Sequence, residues 1–365
     1  MSDPALVYKI GLTQIPLVGA VLARNLVSYC GSVEAVFAEK RQHLLKIPGI
    51  GPTTADAIVH KQYWNVVESE LAFVQEKDVK VLFYLDDDYP YRLQRIKDAP
   101  ILMYARGNLD CNVQRTVGIV GTRRPTTYGK IQCEKIVDSL RDLDVLIVSG
   151  LAYGIDATAH KKALDVGLPT VGILGSGFSN IYPAAHKRLA REMLLDGGIM
   201  TEFKHDSLPD REHFPMRNRV IAGLSDALVV VESDSRGGSM ITAELANGYH
   251  KDVFAIPGRI GDQWSRGCND LIKSNKAHLL DGGTALAEYM QWTVEEPPSI
   301  QRRLFADLDE NESKICALLR ESSPVSIDKL YNSFNLSASE MASLLLGLEF
   351  KGIIKALPGK LYMIV

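Results

Sequence analysis

Two arginines, an amide and an aromatic ring fall within six positions of the segment His213-Phe214-Pro215-Met216-Arg217-Asn218-Arg219. Arginine neutralises phosphate, and an exposed phenyl face stacks on a base for roughly 1–3 kcal/mol whatever the base is. Phe214 is either that face or an ordinary core residue. If the segment is helical, Arg217 and Arg219 point apart. One then meets a ligand while the other pairs internally with Glu202 or Glu244. Four further segments join glycine to groups that bind anions. Gly121-Thr122-Arg123-Arg124-Pro125-Thr126 offers a tight turn, the N–H groups of a following helix and two guanidinium groups. In Ser149-Gly150-Leu151-Ala152-Tyr153-Gly154-Ile155-Asp156, Gly150 and Gly154 permit close backbone approach, and Asp156 is an N-cap or first-turn dipole partner. Asp156 and His160 lie one turn apart, but no third metal ligand accompanies them, which favours a structural role. Gly175-Ser176-Gly177 begins like a dinucleotide fingerprint, yet Asn180 stands in place of the third glycine and argues against hydride transfer. Gly237-Gly238-Ser239 opens a helix with the hydroxyls of Ser239 and Thr242 on one face. Glu244, one turn on, is a general base or, as we favour, holds an arginine. Several such strand ends suit several phosphates, as in a polymer backbone.

Those loops need a scaffold, and the pattern of apolar runs supplies one. Near-continuous Val/Ile/Leu segments at Thr116–Val120, Val145–Ser149, Thr170–Leu174, Gly198–Glu202, Ala227–Glu232 and Val253–Ile256 predict strands buried on both faces. Helical patterns at 127–142, 154–166, 184–195 and 239–250 fall between them. This alternation predicts an α/β domain with a doubly wound, mostly parallel sheet, whose ligands bind at the carboxyl ends of the strands.

The 365 residues exceed one ordinary domain. We divide them into a helical module at 1–66, the α/β domain at 67–290, a linker at 291–307 containing Glu295-Glu296-Pro297-Pro298, and a small domain at 308–365. In the first, Ile47-Pro48-Gly49-Ile50-Gly51-Pro52 has the form of a helix-hairpin-helix turn, with a weaker echo at Ile15-Pro16-Leu17-Val18-Gly19-Ala20. Eight basic and eight acidic residues over 1–80 leave this module either a DNA contact or, as favoured, a packing unit. In the last domain, helical patterns precede a two-stranded ending around Pro358-Gly359, which predicts a winged helix. Its third helix carries Glu340 and Glu349, which favours protein interaction or packing over duplex reading.

With 41 Lys+Arg against 44 Asp+Glu the chain is no polycation, so a nucleic-acid site has to be a local patch. Cys30, Cys111, Cys133, Cys268 and Cys316 give neither zinc spacing nor a disulfide framework. The segment Met1–Ile10 lacks the features of an export signal, and the uncharged stretch Gly167–Ala185 reads as strand plus loop rather than a membrane span. A cytoplasmic location is the expectation.

Taken in order, Tyr89-Pro90, Arg106-Gly107-Asn108-Leu109, Gly121-Thr122-Arg123, Ser149 to Asp156, Gly175-Ser176-Gly177, Tyr182-Pro183, Phe214 to Arg219, Gly237-Gly238-Ser239 and Phe254-Ala255-Ile256-Pro257-Gly258 closely resemble the DNA-processing protein A (DprA/Smf) family. The resemblance implies a Rossmann-like fold that binds single-stranded DNA without catalysis and without a cofactor. It also implies a homodimer that loads the RecA recombinase during natural transformation and recombination, with no membrane partner. By similarity Arg123 contacts a phosphate and Phe214 stacks on a base. Gly175, Ser176, Gly177, Arg217, Asn218 and Arg219 line the pocket. Many relatives carry a lysine after the Tyr-Pro pair where this chain has Ala184, so Lys187 or Arg188 is expected to replace it. Leu271 and Ile272 are the candidates for the dimer face, with the monomer core as the alternative. A strand-binding surface here has to gather Arg123, Arg124, Lys187, Arg188, Arg217 and Arg219 on one face. The competing enzyme reading is a nucleoside-monophosphate phosphoribohydrolase of the lysine-decarboxylase-like type, which needs a catalytic Glu244 with an arginine partner. Ser239, Met240 and Ile241 break the register of that motif.

Overall fold

Apolar residues on both faces of a strand have to be covered twice, and this requirement organises the larger part of the chain. The computed structural model describes residues 5–292, 308–321, 324–334, 336–351, 353–357 and 359–364. The chain splits into two compact units, Met1–Val294 and Glu295–Val365. The first holds a nine-stranded sheet built from β1 (Lys80–Phe83), β2 (Leu102–Arg106), β3 (Arg115–Val120), β4 (Val145–Ser149), β5 (Thr170–Ile173), β6 (Gly197–Thr201), β7 (Ala227–Val230), β8 (Asp252–Ala255) and β9 (His278–Leu279). Their order is β1-β2-β6-β5-β4-β3-β7-β8-β9. The pairings from β6 through to β9 are parallel, whereas β2 runs antiparallel to both β1 and β6.

Alternation along the strands gives each face its own core. Val117, Ile119, Val145, Ile147, Ala227 and Val229 meet Cys133, Ile136, Ala159 and Leu286 of the helices Thr127–Ser139, Ile155–Asp165 and Gly283–Tyr289. Val120, Leu146, Val148, Leu228 and Val230 point the other way. They meet Val220, Ala243 and Cys268 of the helices His213–Leu224, Gly238–Gly248 and Gln263–Lys273. The doubly wound expectation is therefore met, with an antiparallel edge at β1 and β2 that the apolar runs did not announce.

Among the described residues six short helices precede the sheet, of which Ala20–Cys30 and Pro52–His60 each follow one of the two hairpins. Gly49 takes a φ of 87°, and a Cβ there would lie 2.6 Å from Leu22, so the second hairpin closes onto the first helix pair. Ile50 is buried, as a residue wedged between hairpin helices has to be. Ile10, Leu12, Leu26 and Val67 share one apolar cluster with Phe83, Tyr104, Phe178 and Met193, so the helices pack on the sheet domain.

The second unit has helices Glu310–Glu321, Ile327–Ser333 and Ala338–Phe350 over a three-stranded antiparallel sheet of β10 (Val325–Ser326), β11 (Ile354–Leu357) and β12 (Leu361–Ile364), ordered β10-β12-β11. This is a winged helix, with Ile315, Leu319, Leu330 and Leu345 in its core. Ser337 and Glu340 form a reciprocal capping box that starts the third helix. Most of the expected linker at 291–307, and Pro358 of the expected wing turn, lie outside the described residues. Among the described residues no helix is long and apolar enough to cross a membrane.

Candidate nucleic-acid interface

Strand order, which no local pattern reveals, selects one crevice. The chain lays β4, β5 and β6 to one side of β3, then returns to lay β7, β8 and β9 on the other. The turning point lies between β3 and β7, the place where open α/β sheets bind ligands. A cleft of about 620 Å³ opens there. Its walls come from the loops after β3, β4 and β7, the first turns of the helices His213–Leu224 and Gly238–Gly248, and Trp264.

The β3 loop is held from below by Glu232. Its carboxylate accepts from the Thr126 hydroxyl at 2.6 Å and the Thr126 N–H at 2.9 Å. Thr126 in turn caps the helix Thr127–Ser139 by accepting from the Gly129 N–H. The Thr122 N–H donates to the Glu232 carbonyl at 2.7 Å, so the β3 and β7 loops form one rim. Arg123 and Arg124 stand exposed on that rim. The Arg123 guanidinium lies 5.4 Å from the centre of the half-buried Phe214 ring, and Tyr182 packs 5.9 Å away at a tilt. Gly175 lies behind the ring, where a Cβ would come within 3.1 Å of it.

Arg217 is buried beneath the cleft. Its Nη1 donates to the carbonyls of Gly150 and Ile173, and its Nε donates to Asn218 Oδ1 at 3.1 Å. It ties together the ends of β4 and β5 and the Phe214 helix. Burial brings its pKa down to about 10, Asp156 opposes that and Arg123 adds to it, so it stays charged at neutral pH. Asp156 accepts from the N–H groups of Gly150 and Ala152 at 3.2 and 3.3 Å. Burial raises its carboxyl pKa, with Arg217 acting in the opposite sense. Gly150 leaves the space that the guanidinium fills: a Cβ there would lie 2.1 Å from Arg217 Nη1.

The structure brings Gly121, Arg123, Arg124, Phe214, Arg217, Asn218, Gly238, Ser239 and Thr242 to this cleft. Ser239 and Thr242 are nearly buried, and the Ser239 hydroxyl donates to that of Ser233 at 2.8 Å. Gly150 and Gly154 shape the floor and the neighbouring turn.

Other expected members stand elsewhere. Arg219 donates to the Asp98 carbonyl and to the Glu202 carboxylate, away from the cleft lining. The Glu202 carboxyl pKa is pushed up by burial, against the pull of Arg219. Gly175, Ser176 and Gly177 do not line the cleft. A Cβ on Gly177 would lie 2.1 and 2.2 Å from the carbonyl oxygens of Lys204 and His205, and the Ser176 hydroxyl donates to the Asn180 carbonyl at 2.8 Å. Gly177 answers to backbone packing, and Gly175 to the Phe214 ring. Lys187 and Arg188 are exposed outside the lining, and Arg188 pairs with Glu192 at 2.8 Å. Of the six cations expected together, Arg123, Arg124 and Arg217 line this cleft. Leu271 is 2% exposed in the monomer core and Ile272 packs against the same cluster, which removes Leu271 as a ready dimer contact. Glu244 is exposed, 3.9 Å from Lys276, and pairs with no arginine among the described residues. His160 Nδ1 lies 2.7 Å from the Thr170 hydroxyl. Sequence reasoning missed Arg211 and Trp264, which both line the cleft. A lone arginine in a polar loop and a lone tryptophan in a helix carry no local signal.

Residues 80–291 match the family described as DNA recombination-mediator protein A. The chain belongs to this family. Residues 10–61 match a SAM-like helix-hairpin-helix tandem, and 299–360 match the DprA winged helix domain. The Smf protein of Synechocystis is 30% identical over 99% of both chains. The DprA of Streptococcus pneumoniae is 39% identical over 64% of this chain and 82% of its own. The X-ray structure of that pneumococcal DprA superposes with a TM-score of 0.67 at 33% identity, covering 79% of this chain and 99% of that one. A Helicobacter pylori DprA, solved to describe its single-stranded DNA binding mode, superposes with a TM-score of 0.54 at 29% identity over 58% of this chain and 95% of its own.

Proposed function

We propose that this chain binds single-stranded DNA in the cleft between the β3 and β7 loops, and that it works by holding the strand rather than by reacting with it. One observation carries the reading: cations without carboxylate partners line the same cleft as the half-buried Phe214 ring. Arg123, Arg124 and Arg211 have no carboxylate partner among the described residues, whereas cations elsewhere, such as Lys9, Lys162 and Arg219, are ion-paired. Phosphates complete the first group, and a base completes the Phe214 face. A duplex keeps its bases stacked and offers no such face. The Helicobacter relative, described as binding single-stranded DNA, supports the same ligand. The family resemblance extends the proposal to a cytoplasmic homodimer that protects incoming strands and loads RecA in transformation and recombination.

The enzyme reading finds little support, because Glu244 is exposed and lies outside the cleft lining. Release of free base from AMP would overturn the binding reading. The direct test is fluorescence anisotropy of labelled oligo-dT with wild type, Arg123→Ala and Phe214→Ala, with a salt titration and a duplex competitor. Phe214→Ala is expected to weaken binding about fivefold or more. Arg123→Ala is expected to lower the salt slope by about 0.7. Wild-type affinity in both variants would refute the site.

A further inference from the structure

A second cleft, of about 630 Å³, adjoins the first and has no part in the site described so far. Arg123 and Arg124 line both. The second adds Lys130 from the helix Thr127–Ser139, Lys161 from the helix Ile155–Asp165, and Tyr153 from the turn between them. No acidic residue lines it. Lys130 and Lys161 are exposed and make no ion pair among the described residues, although Lys162, the next residue along, is paired with Asp138 at 2.7 Å. Tyr153 is 46% exposed, and His186 holds it edge to face at 5.1 Å. The His186 ring is itself anchored to the Leu151 carbonyl at 2.8 Å, so the tyrosine stands on a fixed support.

The two clefts are parts of one surface. Gly154 has a φ of 83°, and a Cβ there would lie 2.3 Å from the Thr122 carbonyl oxygen and 2.7 Å from the Arg123 carbonyl carbon. The Ile155 N–H donates to that Thr122 carbonyl at 3.2 Å. The turn bearing Tyr153 is therefore pressed against the loop bearing Arg123 and Arg124, the two arginines that line both clefts.

We infer that the second cleft is a further subsite for the same single strand. The strand leaves the Phe214 cleft, crosses Arg123 and Arg124, places phosphates at Lys130 and Lys161, and lays a base against Tyr153. Cations without carboxylates, beside an exposed ring and continuous with the first cleft, match the alternating charge and π-face of a nucleotide chain. This inference rests on the strand-binding reading above, and its test separates the two.

The experiment measures affinity for oligo-dT of increasing length in the full chain, at several salt concentrations. It compares wild type with Lys130→Ala/Lys161→Ala, Tyr153→Ala, Tyr153→Phe and Phe214→Ala. The shortest oligomers should bind the lysine variant and wild type alike. Wild-type affinity should then keep rising with length after the variant has levelled off. For long oligomers the salt slope of the double lysine variant should fall by about 1.4, at about 0.7 per lost phosphate contact. Tyr153→Ala should lose about fivefold or more on long oligomers only, and Tyr153→Phe should retain wild-type binding. If the lysine and Tyr153→Ala variants follow wild type at every length while Phe214→Ala weakens, the subsite is wrong and the strand-binding reading stands. Equal weakening at every length also refutes the subsite, because the lysines then act only as diffuse charge. If Phe214→Ala binds as wild type does, the strand-binding reading fails and the subsite falls with it.

Discussion

Arg217 and Arg219, two positions apart on one helix, have different tasks because a helix turns them to different sides. Arg217 joins the ends of β4 and β5 through the Gly150 and Ile173 carbonyls, and Arg219 neutralises the buried Glu202. Removing Arg217 leaves two buried carbonyls without a donor and Asp156 without its countercharge. Arg217→Met is therefore expected to cost roughly 3 kcal/mol in urea unfolding and to weaken strand binding, because the ends of β4 and β5 and the Phe214 helix lose their common anchor. Replacing Arg219 and Glu202 together by apolar residues of similar size removes both charges at once. The pair Arg219→Met/Glu202→Leu should keep most of the stability and all of the strand affinity. A loss of affinity in the folded double variant would put Arg219 back in the site. The sequence could show that the two arginines diverge, but not which one faces the cleft, since that depends on where Glu202 is brought by β6. It was equally silent on the glycines of Gly175-Ser176-Gly177. A glycine required by a neighbouring carbonyl looks the same in sequence as a glycine required by a phosphate.

At the scale of elements, the helix Ile155–Asp165 carries a titratable group into the core. His160 is fully buried, and its Nδ1 lies 2.7 Å from the Thr170 hydroxyl. That hydroxyl donates to the Ile147 carbonyl at 3.0 Å, so it accepts from His160 and fixes the proton on Nδ1. Nε2 is buried without a partner, and a proton there would be stranded. Burial, with His186 and Arg217 nearby, lowers the pKa from 6.5 to about 3. The folded value lies below the unfolded one. The stabilisation is thus complete above pH 6.5 and is lost as the pH falls towards 3. The slope is about 1.4 kcal/mol per pH unit, or about 2 kcal/mol between pH 6.5 and 5. His160→Asn keeps a donor for Thr170 and removes the titration. Urea unfolding of both proteins at pH 7.5 and pH 5 should show the stability gap between them narrowing by about that amount. A constant gap would mean that His160 is protonated in the folded state. The elements themselves were largely legible. The six core strands are buried on both faces and leave unbroken Val/Ile/Leu runs, so all six were placed within one or two residues. The strands at the sheet's two ends were not: β1 and β2 pair antiparallel, outside the parallel strand–helix alternation, and β9 has two residues. The crevice was not legible either, because strand order is a long-range property.

The whole molecule joins at one place what the sequence suggested were separable parts and divides at another. The helical module at the N-terminus is fastened to the sheet domain by more than its shared apolar cluster. Lys9 pairs with Asp86 at 2.9 Å, and Arg24 donates to the carbonyls of Lys97 and Ala99. Glu70, 1% exposed, accepts from the N–H and Nδ1 of His205, whose ring stacks on Phe73 at 4.4 Å. Cutting the module away would expose Phe83, Tyr104 and Phe178 and leave several polar groups without partners. The winged helix, in contrast, encloses its own core of Ile315, Leu319, Leu330 and Leu345 within a separate compact unit. Its third helix presents Glu340 and Glu349, with Phe350 84% exposed, which is poor chemistry for a phosphate groove. The two truncations should therefore behave oppositely. A chain ending at residue 294 should melt at the temperature of the larger unit and keep the wild-type affinity for oligo-dT. A chain beginning at residue 79 should be insoluble or bind dyes for exposed apolar surface. Differential scanning calorimetry of the full chain should then resolve two transitions, of which the first truncation retains one. If removing the winged helix instead abolished strand binding, the clefts at the β3 loop would be only part of the site, and the charge argument would have to be rebuilt around residues 308–365.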